Sequence, residues 1–333
     1  MPERPAVICL TPVRNERWIL DKFLRATSVW ADHIIIADQN SSDGSREIAA
    51  RCPKVRLVEN QNAAYDEASR RELLMAEARR ISGPRLIFGL DADELLCANL
   101  LESPEWSTLL RAPPGTHVGL QWVNLFATFG HCHVFQPHGI FAYMDDGRAI
   151  EGTFIHSPRV PVNPAVPGLY LAHGKVLHYQ YLDWARMKAK HRWYECLEHL
   201  KYPGKSPTRL YRQYHHMDVS WARKDAVDWN WFRGYEQRGI DVTSIEVEPH
   251  PYFEAETLKL LAEHGAARFR RLAIWDVNWV DLARYHQLPD PERFRDPRSK
   301  FQRAWHRWLR RSQDRAHTRP YRLLDRIFDL FGR

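Results

Sequence analysis

Short β-branched runs and helical-period stretches take turns along the first third of the chain. Residues 6–11 form an apolar run, and 17–26 carry Ile19, Leu20, Phe23 and Leu24 at helical spacing. His33-Ile34-Ile35-Ile36-Ala37 reads as a strand ending at Asp38. Ser41-Ser42-Asp43-Gly44 then supplies a turn and cap for a helix through Ile48 and Ala49. A third strand is predicted over 55–58, a third helix over 63–81, and a buried strand over 85–90. Strands alternating with helices imply right-handed crossovers and a mainly parallel sheet.

The pattern then loosens. Residues 118–126 and 131–135 alternate as strands, 141–144 follow, and Asp145-Asp146-Gly147-Arg148 marks a turn. Extended segments are expected over 150–157 and 171–179. Beyond residue 181 the chain reads as helical, over 182–200, 219–235 and 256–279, with many Trp, Arg and Lys. Trp229, Trp231 and Tyr235 read as core aromatics. Three regions are predicted: an α/β domain over 1–180 (with halves 1–100 and 101–180), a helical region over 181–298, and a basic amphipathic tail over 299–333.

Composition changes this picture in two places. Five scattered cysteines point to a reducing compartment rather than a disulfide framework. With no signal peptide and no apolar run of 18 residues, a cytoplasmic location is expected. The net charge of +7 resides in the tail, where ten Lys or Arg face three Asp over 299–333. Phe301, Trp305, Trp308 and Leu309 recur there at helical spacing among arginines. A second series follows Pro320: Leu323, Leu324, Ile327, Phe328, Leu330 and Phe331. Such helices suit a bilayer interface, with arginines at anionic headgroups, so the tail is expected at the inner face of a membrane. No nucleic-acid motif is present.

The chemistry concentrates where strands end. The 85–90 strand runs straight into Asp91-Ala92-Asp93-Glu94. If the chain stays extended there, alternate positions bring Asp91 and Asp93 to one side, facing one cation. Hard oxygen ligands suit Mg²⁺ or Mn²⁺, and these ions share their shell with substrate phosphates. No G-x-G-x-x-G follows the first strand and no G-x-x-x-x-G-K-[ST] occurs, which disfavours a dinucleotide site and a P-loop. His131-Cys132-His133 with His138 lacks a second ligand pair at zinc spacing.

Pro12-Val13-Arg14-Asn15-Glu16, Asp38-Gln39-Asn40-Ser41-Ser42-Asp43-Gly44-Ser45 and Asp91-Ala92-Asp93-Glu94 resemble the three landmarks of family 2 glycosyltransferases with the GT-A fold. The resemblance extends to the branch acting on bacterial envelope glycans. It implies a metal-dependent, inverting transfer from a nucleotide sugar, usually UDP-linked, to a glycan or lipid-linked acceptor. It also implies that Pro12, Arg14, Asn15, Glu16, Asp38, Asp43 and Asp91 meet the nucleotide, with Asp91 and Asp93 on the metal. Arg70 lies where relatives carry a short Arg-Asn element, although Arg71 replaces the Asn. His178-Tyr179 is similar to a later His-aromatic pair, which implies His178 as a further metal ligand, with His173 the competitor.

Inverting transfer needs a carboxylate to take the acceptor proton. The position after His156 holds Ser157 where that branch carries Glu, leaving Glu151, Glu94 and Asp145 or Asp146, of which Glu151 is favoured. Lys188, Lys190 and Arg192 read as a solvated helix face. The rival reading is a noncatalytic module that binds a sugar nucleotide or an anionic surface through the basic tail.

Overall fold

The computed structural model describes residues 4–62, 64–126, 129–223 and 225–331, with side chains of 220, 221 and 328–331 outside the description. The chain forms two compact units. The first comprises residues 1–182 and 225–247, the second 183–224 and 248–333. Residues 225–247, within the stretch read as helical, group with the first unit, and residues 299–333 group with the second.

The first unit is α/β. Strands β1 (Ala6–Val13), β2 (His33–Asp38), β3 (Val55–Glu59) and β4 (Arg85–Gly89) alternate with helices α1 (Arg17–Thr27), α2 (Ser45–Ala50) and α3 (Glu67–Ala78). All pairings among these four strands are parallel, in the order β3-β2-β1-β4. Period-two alternation sorts their side chains between two cores. Val7, Cys9, Ile34, Ile36, Leu86 and Phe88 enter one, and Ile8, Leu10, Ile35, Ala37 and Ile87 the other. The third helix is shorter than expected because Asp66 caps it, accepting from the Ala68 and Ser69 amides. The start of its predicted span, Ala63, lies outside the described residues.

Beyond β4 the sheet turns antiparallel. It continues through β8 (Gly139–Met144), β6 (His117–Leu125), β7 (His131–Val134) and β10 (Asp225–Ala226). Short β5 (Glu94–Leu96) pairs antiparallel with β9 (Leu169–His178), which runs parallel to β6. The expected strand over 150–157 is absent; this stretch is coil, bound instead to α3. Helix α4 (Pro104–Leu109) and helix α7 (Asn230–Glu236) complete the unit. The buried Tyr235 hydroxyl donates to the Leu96 carbonyl at 2.8 Å, so this aromatic is core, whereas Trp229 is half exposed.

The second unit is helical: α5 (Trp184–Lys201), α6 (Pro207–Tyr214), α8 (Tyr252–His264), α9 (Trp279–Tyr285), α10 (Lys300–Ser312) and α11 (Arg319–Phe331). Two long predicted helices are broken. Residues 219–235 hold a 3-10 turn, a strand and α7, and α8 ends at His264 before Gly265 at φ 78°. Cys196, Leu210, Leu258, Phe269 and Trp279 form its core. Ser299 and Gln302 make a reciprocal capping box at α10. The apolar face of α10 is covered, because Trp305 and Leu309 pack with Tyr211. Phe301 is exposed, as are Leu323, Leu324 and Ile327 of α11; Phe328, Leu330 and Phe331 lie outside the described side chains. No helix among the described residues is long and apolar enough to cross a membrane.

Candidate active site

Ligands of parallel sheets gather beyond the carboxyl ends of the strands. In the first unit three loops meet there. Pro12 and Val13 pair in register with Ala37 and Asp38, so the ends of β1 and β2 lie side by side. The two loops that follow are tied to each other. The Asn15 amide donates to Ser41 Oγ, the Ser42 amide to Asn15 Oδ1 and the Glu16 amide to Ser45 Oγ, all within 2.9 Å. Asp43 accepts from the Arg17 and Ser45 amides, and Glu16 accepts from Trp18 Nε1 at 2.6 Å. Asp43 therefore holds the loops together, its carboxylate engaged by these two amides and by the Ser45 hydroxyl at 2.7 Å. Gly44 completes the turn at φ 98°, a conformation that favours glycine.

Asp38 is buried. One oxygen accepts from the Ser41 amide at 3.2 Å and faces Arg46 at 3.4 Å. Among the described residues its Oδ1 has no hydrogen-bond partner, and neither do buried Gln39 Oε1 and Asn60 Nδ2. Buried polar atoms normally find partners, so three orphans around one strand end describe an incomplete hydrogen-bonding set. Arg70, on the first turn of α3, stacks over Tyr65 with its guanidinium carbon 4.6 Å from the ring centroid.

The acidic triplet departs from the expected extended geometry. Asp91 to Glu94 is a tight turn, closed by the Glu94 amide on the Asp91 carbonyl at 3.0 Å and docked by the Tyr179 amide on the Asp93 carbonyl. Asp91 and Asp93 consequently engage different partners. Asp91 meets Arg71 at 2.8 Å and Arg159 at 2.9 Å. Arg159 also donates to Glu94 at 2.6 Å, and the other Glu94 oxygen accepts the Asp91 amide at 2.9 Å. The Arg159 guanidinium lies over Phe141 and Trp122. Gly89 permits this: a Cβ there would sit 2.7 Å from the Arg159 carbonyl oxygen. Burial lifts the Glu94 carboxyl to about 7; Arg159 opposes that shift and Asp91 adds to it.

Asp93 faces His178, with a carboxylate oxygen 3.6 Å from Nε2. His178 ends β9, in register with Glu94 on β5 and Asn124 on β6. Its ring stacks on Trp122, centroids 4.8 Å apart, and Nδ1 lies 2.8 Å from Asn124 Oδ1. With Nδ1 against Asn124 Oδ1, the ring turns Nε2 toward Asp93. Two groups on one ion at ordinary Mg²⁺ bond lengths stand on the order of 3 Å apart, so this pair suits a divalent ion. Among the described residues no group of three or more His, Cys, Asp or Glu is disposed around a metal. Of the three expected ligands, Asp93 and His178 face each other, whereas Asp91 is balanced by Arg71 and Arg159.

The base candidates separate by position. The Asp145 side chain is fully buried between Arg79 and Arg85, and its backbone amide donates to the Arg85 carbonyl at the start of β4. Asp145 and Asp146 therefore lie at the opposite end of the sheet from the Asp91–Glu94 turn. Glu94 has no solvent exposure and both oxygens occupied, which makes it a positioning group for Arg159. Glu151 is exposed. The coil that follows it is fixed to the first turn of α3, where the Ser157 amide donates to Glu67 and the Glu67 amide to the Phe154 carbonyl. That turn follows β3, so the segment belongs to the carboxyl end. His173 is exposed on β9, away from its end.

Arg159, Asn124 and Trp122 have no local signal in the sequence, whereas Arg71 adjoins the candidate Arg70. Lys188 and Arg192 are paired with Asp218 and Asp276 of the second unit rather than solvated. These features define an α/β unit with a mixed open sheet flanked by helices, carrying an acidic, arginine-braced cluster at its strand ends. No family model matches the chain, and no curated protein does either.

Proposed function

We propose that the chain is an inverting, metal-dependent glycosyltransferase of the GT-A, family 2 type, taking a UDP-linked sugar. The observation that carries this reading is the Asp93–His178 pair, 3.6 Å apart, at the end of the sheet where the Asp38 carboxylate also lies. The orphan atoms of Asp38, Gln39 and Asn60 suit a nucleobase and ribose, which offer both donors and acceptors. Asp93 and His178 would hold Mn²⁺ or Mg²⁺, which when bound supplies positive charge for a diphosphate leaving group. Arg71 and Arg159 hold the Asp91 carboxylate at this strand end and add positive charge to the phosphate region. Glu151 takes the proton from the acceptor hydroxyl as that oxygen attacks the anomeric carbon and the bond to the diphosphate breaks.

The exposed apolar residues of α11, flanked by Arg319, Arg322 and Arg326, support a peripheral anionic-membrane contact and hence a lipid-linked or envelope acceptor. The direct test is calorimetric titration with UDP, with and without Mn²⁺, followed by donor hydrolysis across a panel of nucleotide sugars. Mn²⁺-dependent UDP binding that disappears in Asp93→Asn is expected. Equal UDP affinity in the wild type and Asp93→Asn would overturn the reading.

A further inference from the structure

The second unit carries a solvent-open pocket of about 260 Å³ bounded by α5, α6, the segment before α9, and α10. Its charges do not cancel. Lys188 is offset by Asp218 at 3.2 Å, and Asp276 by Arg192 at 2.7 Å. Arg298 and Arg303 share one carboxylate, Asp296, at 3.0 and 3.3 Å. Arg307 and Arg310 line the same space with no ion-pair partner among the described residues. Three positive charges are left over. Arg303, Arg307 and Arg310 stand exposed at i, i+4 and i+7 of α10, one stripe of like charge whose mild mutual repulsion a bound anion would relieve.

The cavity is also built. Arg298 is mostly buried and fixed by the Trp275 carbonyl at 2.9 Å and by His306 Nδ1 at 2.9 Å. His306 in turn donates from Nε2 to the Arg271 carbonyl at 3.1 Å. The Tyr211 and His215 rings stack at 4.0 Å and form a flat wall. An adjoining space of about 10 Å³ shares Lys188 and His215 and touches Glu195. Glu195 is buried, and its Oε2 has no hydrogen-bond partner among the described residues. A guanidinium cluster against an aromatic wall recognises a phosphate on a small organic body. The volume falls just below the usual ligand-pocket range, which limits the occupant to a small molecule or headgroup.

We propose that this cavity binds a phosphate-bearing anion, a phosphate monoester or diphosphate, independently of the strand-end site of the first unit. The test uses the full chain in EDTA, titrated calorimetrically with inorganic pyrophosphate, and sedimented with vesicles of phosphatidylcholine containing phosphatidic acid. Saturable pyrophosphate binding is expected in the wild type and equally in Asp93→Asn, which separates it from the proposed donor site. The double variant Arg307→Gln/Arg310→Gln should weaken it by roughly 10- to 100-fold. The charge-matched control Arg315→Gln/Arg322→Gln should leave it unchanged. Vesicle binding that pyrophosphate competes away and the double variant loses would assign the phosphate to a lipid headgroup; pyrophosphate binding without it would assign a soluble ligand. Absence of both kinds of binding at about 10 mM probe, or equal loss in the double variant and its control, would overturn the proposal.

Discussion

Replacing Glu195 with Gln should change how stability depends on pH. Glu195 sits on α5 with about 1% of its surface exposed. Burial and then Asp276 push its carboxyl up to about 8, opposed by the Ala273 amide, Arg192 and Lys188; His215 stands 3.7 Å away. The unfolded chain ionises this group near its ordinary value of 4.5. Below that value it is protonated in both states and costs nothing. As pH rises toward 8, the folded state keeps a proton that the unfolded state has released, so stability falls and levels off above 8. A full shift of this size corresponds to about 5 kcal/mol at 1.36 kcal/mol per unit, an upper limit before relaxation. The glutamine side chain keeps the shape and removes the titration. Urea unfolding of both proteins at pH 5 and pH 9 should show E195Q gaining roughly 2–5 kcal/mol on the wild type between those values. The lowered His191 and His215 act in both proteins and largely cancel in the difference. Parallel stability curves would refute a buried, proton-holding carboxyl.

Other expectations follow from single contacts. Arg159→Met leaves buried Glu94 without its counter-ion and should cost about 3 kcal/mol by chemical denaturation, with most of it recovered in Arg159→Met/Glu94→Gln. Asp43→Ala removes the acceptor of the Arg17 and Ser45 amides and should cost about 1–2 kcal/mol, with UDP affinity falling as the two loops separate. Leu309→Ala, in a fully buried position, should cost about 2–5 kcal/mol, whereas Leu323→Ala at the exposed face of α11 should stay within about 0.5 kcal/mol. Leu323→Ser/Ile327→Ser should reduce sedimentation with anionic liposomes without altering thermal stability; unchanged sedimentation would make the apolar α11 face irrelevant to membranes. Glu151→Gln should lower turnover by about 10²-fold with donor affinity preserved, checked by initial rates beside UDP titration.

The amino-acid pattern by itself determined the four parallel strands, the helices between them and the strand ends where Asp38, Asp91 and Asp93 lie. It did so because a strand buried on both faces must be apolar throughout, and a carboxylate marks where burial stops. The same logic located α10, whose apolar stripe requires a cover. Periodicity reports that a face is buried but not what covers it. Only the folded chain put Tyr211 against Trp305 and Leu309, while leaving Leu323 and Ile327 in the open. Local pattern also could not distinguish an extended Asp91-Ala92-Asp93 from a turn, since the turn depends on β5 pairing with β9, some 80 residues on. Arg159 reaches Glu94 across 65 positions, and Asn124 orients His178 across 54. An ion pair or a ring-orienting hydrogen bond between residues so far apart leaves no trace in the neighbouring sequence. Its partners come within reach only after the sheet has closed and the long loops have been ordered against it.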